Sequence, residues 1–497
     1  MNVACLQALE YPEANFVDDT HRQPPLVVDL DGTLVRTDLL VESLVALLKD
    51  RPLCLFAIPA WMALGKARFK QEVAKRVLPD PRTLPWRAEL IDYLTEQRAQ
   101  GRYLVLATAS NIEWARLIAD HLKLFDEVFA SDGVVNLRGE AKRESLVARF
   151  GARGFDYAAD GGRRRCDLTV WTAARKAVLV NTDRRTGRAA AWCVEIDRVF
   201  SDRKTGWAGR LKALRPHHWL KNLLVFVPLV AAHRFHDLAL FEKSLLAFVA
   251  FGCCASSGYL FNDVVDLESD RHHPQKRLRP FASGDLPLSY ALWTGPALII
   301  LGCSLGALVS PLLLALLLMY GAITIGYSLG VKKVVLLDVL FLAGLYTVRI
   351  LAGSAATAIW PSHWLLAFST FLFFSLALVK RYSELAIMRR LDGEAAKARA
   401  YELSDAELLA AMGVSSGYLA VLVLALYIAA DKARVLYSQP ELLWVLCPLL
   451  LYWISHVWLT AHRGNMSHDP VVFTTSDRTS RILILLMVLV SILALIG

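Results

Sequence analysis

Hydrophobic positions along the chain follow two rhythms. Before about residue 200 the apolar runs are short and end in polar residues, as in LVVDLDGTLV (26–35) and GRYLVLATAS (101–110). Such runs predict buried strands, and their alternation with helical stretches predicts a three-layer α/β domain on a parallel sheet. From about residue 216 the runs are long enough to cross hydrocarbon, near 219–233, 243–262, 290–308, 311–327, 335–359, 363–379, 415–430, 441–460 and 480–496. They predict an all-α polytopic membrane domain of about nine transmembrane helices. One apolar stretch, 52–64, is too short to span and reads as part of a helical cap over about 40–90, touching the membrane surface. The expected domains are 1–200 for the α/β part, 201–215 for a basic connector and 216–497 for the membrane part.

Composition averages these unlike halves, with 55% hydrophobic residues and a mean hydropathy of +0.39 over 497 residues. A net charge of +9 would suit nucleic acid, yet Lys and Arg concentrate in short connections between the apolar runs. That is a topology signal. One side collects Arg271, Lys276, Arg277, Arg279, Lys332, Lys333, Lys380, Arg381, Arg389, Arg390, Lys397, Arg399, Arg463, Arg478 and Arg481, the other only Arg234, Lys243, Lys432 and Arg434. The even-numbered runs therefore lead into cytoplasmic loops of a bacterial-type inner membrane, with the N-terminal domain in the cytoplasm. Glu10, Glu13, Asp18 and Asp19 precede any apolar run, so no signal peptide is expected. Arg184, Arg185, Arg188, Arg203, Lys204 and Arg210 read as basic residues near anionic headgroups or as a solvated linker. Eight cysteines without a CxxC pair, Cys5 the first, indicate reduced, structural thiols.

The densest chemistry lies in NDVVDLESDRHHPQKRLRP (262–280), directly behind an apolar run. Asn262, Asp266 and Asp270 recur every four residues, which stacks them along one helix wall, with Asp263 one position aside. Carboxylates this close repel unless a cation lies between them, and oxygen ligands with room for water suit Mg2+ carrying phosphates. Lys276, Arg277 and Arg279 follow where they can clamp phosphate oxygens. At the other end of the chain, Asp29 and Asp31 close a strand two positions apart and so share one side of its end.

The DLDGT run resembles the first motif of the haloacid dehalogenase (HAD) phosphatases. The resemblance implies Asp29 as nucleophile on phosphorus and Asp31 as general acid/base. It further implies Thr108, with Ser110 as substitute, for phosphate binding, Lys142 to offset the aspartyl-phosphate, and Asp29, Asp31, Asp160 and Asp167 around Mg2+. Asp160 and Asp167, in AADGGRRRCDL, are spaced more widely than that family's fourth motif, which leaves open a degenerate domain kept for structure.

NDxxDxxxD followed by KxxRP within a polytopic domain resembles the UbiA superfamily of intramembrane prenyltransferases, over about residues 210–497. The resemblance implies Mg2+ held by Asn262, Asp263, Asp266 and Asp270, with Asp266 and Asp270 catalytic. The second acidic motif is reduced to YSLGVKKVVLLDV, keeping Tyr327, Lys332, Lys333 and the single acid Asp338. LRPHHWLKN (with Arg215, Pro216, Trp219, Lys221 and Asn222), YTVRILAG (Arg349, Gly353), LVKRYSEL (Lys380, Arg381, Tyr382, Glu384) and DPVVFTTSDR (Asp469, Asp477, Arg478) are similar to the decaprenyl-phosphate phosphoribosyltransferase branch. That branch implies 5-phosphoribose moving from phosphoribosyl diphosphate (PRPP) to a polyprenyl phosphate, toward lipid-linked arabinose for cell-wall glycans. The substrate-binding residues implied are Thr108, Lys142, Lys221, Asn222, Lys276, Arg279, Tyr327, Lys332, Lys333, Asp338, Arg349, Lys380, Arg381 and Tyr382. Membrane lipid is the expected partner, nucleic acid is not, and a homo-oligomer stays open. Two alternatives remain: a prenyltransferase moving a polyprenyl chain onto a small acceptor, and a non-catalytic lipid-binding or transport protein.

Overall fold

The computed structural model describes residues 23–162, 166–201, 206–273, 276–390, 401–466 and 469–496. Cys5, the acidic residues Glu10, Glu13, Asp18 and Asp19, and Arg203, Lys204, Lys397 and Arg399 lie outside them, as do the side chains of Arg390, Lys432 and Arg434. The chain folds as two compact units, Met1–Arg210 with Asp263–Ala291, and Leu211–Asn262 with Leu292–Gly497.

The first unit is built on six strands, β1 (Leu26–Val28), β2 (Leu104–Asn111), β3 (Glu127–Ser131), β4 (Asp156–Ala159), β5 (Lys176–Val180) and β6 (Glu195–Phe200). They form one sheet in the order β3-β2-β1-β4-β5-β6, with every pairing parallel. Strands buried on both faces need apolar residues at successive positions. Leu26, Val28, Leu104 and Leu106 enter one core with Trp114 and Ile118, while Val27, Val105, Tyr157 and Ala159 enter a second with Phe150 and Trp171. Helices thus cover both faces, and the expected α/β layering is present. Between β1 and β2 the chain is helical: Leu39–Asp50, Pro52–Phe56, Ile58–Ala63, Lys66–Ala74, Pro81–Thr83 and Ala88–Ala99.

Asp263–Ala291 packs into this same unit. Phe281, Ala282, Leu286 and Leu288 are buried. Arg271 grips Glu42, on the first helix after β1, with both terminal nitrogens at 2.9 and 2.5 Å, and its Nε donates to the Ala282 carbonyl at 3.1 Å. Gly284 has φ +74 and lies against Arg36 and Pro85, so a side chain there meets both strain and a clash.

In the second unit and its borders, eight helices among the described residues are long and apolar enough to cross a membrane: Leu238–Val265, Leu288–Val309, Pro311–Leu329, Leu337–Thr357, His363–Ile387, Leu403–Ala429, Pro440–His462 and Arg478–Ile496. The expectation of about nine is corrected here. The first run folds as a 3-10 helix, Pro216–Phe226, followed by the short helix Val227–Ala231. Pro216 starts the segment and Pro228 lacks the N–H that a continuous α-helix would use. A 3-10 rise of about 2.0 Å per residue still carries this segment roughly as far as hydrocarbon is thick.

The Glu42–Arg271 pair is nearly sealed from solvent. Glu42→Ala leaves a buried guanidinium without its counter-charge and is expected to destabilise the α/β unit by about 3–5 kcal/mol, whereas the double change Glu42→Leu with Arg271→Met recovers most of the loss. Denaturant midpoints followed by tryptophan fluorescence read the difference.

Candidate functional site

Parallel pairing in register brings strand ends together. Val28 lies opposite both Leu106 of β2 and Ala158 of β4, so the residues just beyond, Asp29, Thr108 and Asp160, converge at the C-terminal edge of the sheet. That edge, where neighbouring strands run off in opposite directions, is where open α/β sheets place ligands. Asp29 receives Lys142 Nζ at 2.7 Å and Thr33 Oγ1 at 3.3 Å. Asp31 accepts the Leu39 N–H at 2.8 Å on one oxygen, and on the other Ser110 Oγ at 2.6 Å and Thr108 Oγ1 at 3.4 Å. Both hydroxyls named from the sequence therefore meet the same carboxylate. Tyr157, which sequence reasoning missed, is buried with its hydroxyl 2.9 Å from both Lys142 Nζ and Asp167 Oδ1. Its place as the second residue of β4, on the side facing Lys142, is set by register and was not visible as a motif.

The wide spacing of Asp160 and Asp167 does not keep them apart. Asp160 directly follows β4, and Asp167 directly precedes the short helix Leu168–Trp171. Ligand oxygens of Asp29, Asp160 and Asp167 lie within 4.8 Å of one another, the group of this kind found among the described residues. Asp167 Oδ2 is buried without a hydrogen-bond partner. Gly32, at φ +76, lets Asp160 come so close that a Cβ there would stand 2.4 Å from Asp160 Oδ2. Three hard oxygen donors, one of them unpartnered, fit Mg2+. Burial, and then the charge of Asp38, pushes Asp31 up to about 7; burial and then Asp29 push Asp160 up to about 7; burial raises Asp167 to about 6 against the pull of Lys142. Burial opposes the Lys142 charge, but Asp29 and Asp167 outweigh it and hold the ammonium above its ordinary range.

The acidic segment differs from the single helix wall expected of it. Helix Leu238–Val265 stops before Asp266, which caps a separate helix, Leu267–His272. Arg279 donates to Asp263 at 3.2 Å and to Asp270 at 2.5 Å, so an arginine occupies the position between carboxylates where a metal was expected. Both carboxylates nonetheless converge on one positive charge. Burial raises Asp270 above the ordinary carboxylate range despite Arg279. Asn262 is bonded to Ser328 instead, and Lys276 sits half-buried on the turn Lys276–Leu278.

In the membrane unit the 3-10 segment has a period of three, which puts Trp219, Asn222 and Val225 on one side. Trp219 lies against Gly252 and bonds Ser256 at 2.9 Å. The Val225 carbonyl reaches Gly353 so closely that a Cβ there would stand 1.9 Å from its oxygen. Between them Asn222 Oδ1 accepts Arg349 Nε at 2.9 Å. Arg349 is 4% exposed and, among the described residues, its hydrogen-bond partners are neutral: Asn222, the Leu345 carbonyl and the Tyr320 hydroxyl. Phe251, Tyr320 and Tyr346 present their rings to it at 5.0, 5.2 and 5.7 Å. Lys221 and Lys380 approach one carboxylate, Asp469, at 2.5 and 3.6 Å, and Tyr346 bonds that acid at 3.3 Å. Burial pushes the Asp469 carboxyl up, but the two lysines outweigh it and hold it well below the usual range. Asn222 Nδ2 and His218 Nδ1 are buried without partners.

Asp338 stands apart from that cluster's chemistry. It is fully buried, with one oxygen taken by Arg381 Nε and the other by Tyr401 at 2.5 Å. Arg381 also reaches Glu384 at 2.7 Å and Tyr327 at 2.6 Å. Each oxygen of Asp338 thus has an internal partner. Tyr401 was missed because it lies 63 positions further along the chain. Tyr382 bonds His462 at 2.8 Å, while Lys332 is half-buried and Lys333 exposed on the turn Val331–Lys333.

Residues 223–480 match the model of the UbiA prenyltransferase family. The chain belongs to that family, and its apolar helices are those of a multi-pass membrane protein. An uncharacterized protein, y4nM, of Sinorhizobium fredii is 32% identical over 467 residues, 93% of this chain and 90% of that protein, so the likeness runs through both units. Nodulation protein NoeC of Azorhizobium caulinodans is 38% identical over 288 residues, 56% of this chain and 92% of its own. A decaprenyl-phosphate phosphoribosyltransferase of Mycobacterium tuberculosis is 35% identical over 187 residues, covering 37% of this chain and 62% of that enzyme.

The raised carboxyl pKa values carry a sign. A carboxyl that stays protonated to about 7 when folded, but ionises near 4 when unfolded, makes folding take up protons. With divalent cations chelated, the contribution of these groups to the stability of the α/β unit is expected to be full below about pH 4 and to be lost as pH rises from there to about 7. Asp160→Asn flattens that slope in melting curves taken across the range.

Proposed function

We infer that the membrane unit transfers 5-phosphoribose from PRPP to a polyprenyl phosphate such as decaprenyl phosphate. The observation that carries this reading is Arg349, a buried guanidinium with no carboxylate partner among the described residues, in a cluster where Lys221 and Lys380 share only Asp469. Buried positive charge in such surplus is costly unless an anion completes it. The unpartnered Asn222 amide adds a donor for a phosphate oxygen. PRPP, with a diphosphate and a separate 5-phosphate, asks for more cations than a prenyl diphosphate does. The spent oxygens of Asp338 count against the two-metal arrangement of an ordinary prenyltransferase, and the named phosphoribosyltransferase relative agrees with the donor chosen here.

In the reaction the C1–oxygen bond to diphosphate breaks with its electron pair leaving on diphosphate, and an oxygen of the lipid phosphate bonds to C1. The acceptor is already anionic, so positioning and charge shielding are the main demands on the protein. By the acidic motif, Asp263, Asp266 and Asp270 would contribute to holding Mg2+, which would supply charge neutralisation for the diphosphate when bound.

The α/β unit is read as a HAD-type phosphatase that removes the 5-phosphate from the lipid-linked product at the cytoplasmic face. Asp29 attacks phosphorus while Asp31, held protonated near neutrality, donates its proton to the departing ester oxygen and then deprotonates the hydrolytic water. Lys142 and Tyr157 keep Asp29 and Asp167 in place. Asp29, Asp160 and Asp167 would hold the Mg2+ that screens the phosphoryl oxygens.

Detergent-solubilised protein given labelled PRPP, Mg2+ and polyprenyl phosphate is expected to form lipid-extractable label, with kcat/KM lowered about 100-fold or more by Arg349→Gln and transfer lost in Asp266→Asn. No label in lipid, or consumption of polyprenyl diphosphate instead, ends the donor assignment. Asp29→Asn should stop release of inorganic phosphate from the labelled lipid while leaving transfer intact; a wild type that releases none refutes the phosphatase half alone.

A further inference from the structure

The cap helices carry a feature that neither reaction uses. After the helix Leu39–Asp50 the chain makes a hairpin of the turn Pro52–Phe56 and the helix Ile58–Ala63. Cys54 and Trp61 pack back onto the α/β core, together with Phe69 of the next helix. The opposite side projects Leu53, Phe56, Met62 and Leu64, which are 79, 81, 62 and 65% exposed. With Leu55, five large apolar side chains within twelve residues are left exposed, which water does not favour. The hairpin is firmly held: Arg76 stacks on Trp61 at 4.5 Å, and Lys70 of the helix Lys66–Ala74 reaches the Ala109 carbonyl and Asn136 Oδ1, the latter at 2.6 Å. A rigidly presented apolar tip has a surface to meet.

The charges around it say which. No Asp or Glu occurs between Asp50 and Glu72, while Arg51, Lys66 and Arg68 are exposed at the two bases of the hairpin. Apolar side chains at the tip and cations at the shoulders match the two layers of an anionic leaflet, acyl chains beneath and phosphate headgroups above. A groove on another protein would not require a collar of one sign. Eight apolar helices in the same chain keep a bilayer permanently at hand, so even a modest affinity for lipid is enough to seat the hairpin.

We propose that residues 51–68 form an interfacial anchor that inserts Leu53, Phe56, Met62 and Leu64 into an anionic lipid leaflet and pairs Arg51, Lys66 and Arg68 with its phosphates. The inference is independent of which reaction either unit runs.

The test uses the full chain in nanodiscs of phosphatidylglycerol or phosphatidylcholine, with Phe56 or Met62 replaced by the photocrosslinker p-benzoylphenylalanine. Trp192, 89% exposed on the helix Arg184–Cys193, receives the same replacement as a control. Intact-mass spectra after illumination are expected to show lipid adducts at Phe56 and Met62, well above the Trp192 level and higher in phosphatidylglycerol. Arg51→Gln, Lys66→Gln or Arg68→Gln should each lower the seated-to-free ratio about fivefold in phosphatidylglycerol. Adducts to protein rather than lipid, or lipid adducts no more frequent than at Trp192, overturn the proposal; a yield indifferent to lipid charge overturns its electrostatic half.

Discussion

Buried charge that must be compensated is the constraint on which both halves of this protein turn. At the sheet edge, Lys142 sits against Asp29 and within 3.9 Å of Asp167, and three carboxylates crowd together with one oxygen left unpartnered. In the membrane unit the excess has the opposite sign: Lys221 and Lys380 share Asp469, and Arg349 is surrounded by rings and neutral oxygens. One cluster calls for a cation and the other for an anion. The magnesium ion and phosphorylated sugar donor of the proposed reactions would supply those charges.

Backbone geometry makes both clusters possible. In the α/β unit, parallel strands in register deliver Asp29, Thr108 and Asp160 to one edge although they come from three distant stretches of chain. In the membrane unit, the 3-10 helix brings Val225 onto Gly353 and so lays Asn222 beside Arg349 one turn away. An α-helical period would have rotated Asn222 off the side that carries Trp219 and Val225. Gly252 and Gly353 are small because a backbone or an indole passes where their side chains would be.

The acidic segment shows how a counter-charge can rearrange what spacing suggests. Asn262, Asp266 and Asp270 stand four apart, yet the helix breaks at Asp266 and Arg279 bridges Asp263 and Asp270. Asp338 is a parallel case. Its neighbourhood in the sequence looks like a depleted ligand motif, but Arg381 and Tyr401 claim both oxygens, which makes it a fixed support for a buried arginine.

Much was legible along the chain because it depends on local composition: the buried parallel strands, the long apolar helices, and the Asp-Leu-Asp turn that places two carboxylates at a strand end. Hydrophobic period and run length follow from burial, and burial leaves its mark residue by residue. What could not be read were relations between distant residues, such as Tyr157 linking Lys142 to Asp167, Tyr401 closing on Asp338, the neutral surroundings of Arg349, and the folding of the first apolar run as a 3-10 segment. These depend on which backbones approach each other and how closely, and a linear pattern carries no record of that distance. The gap between Asp160 and Asp167 is the plainest instance, since seven positions along the chain become a few ångströms once a strand end and a helix start face the same point.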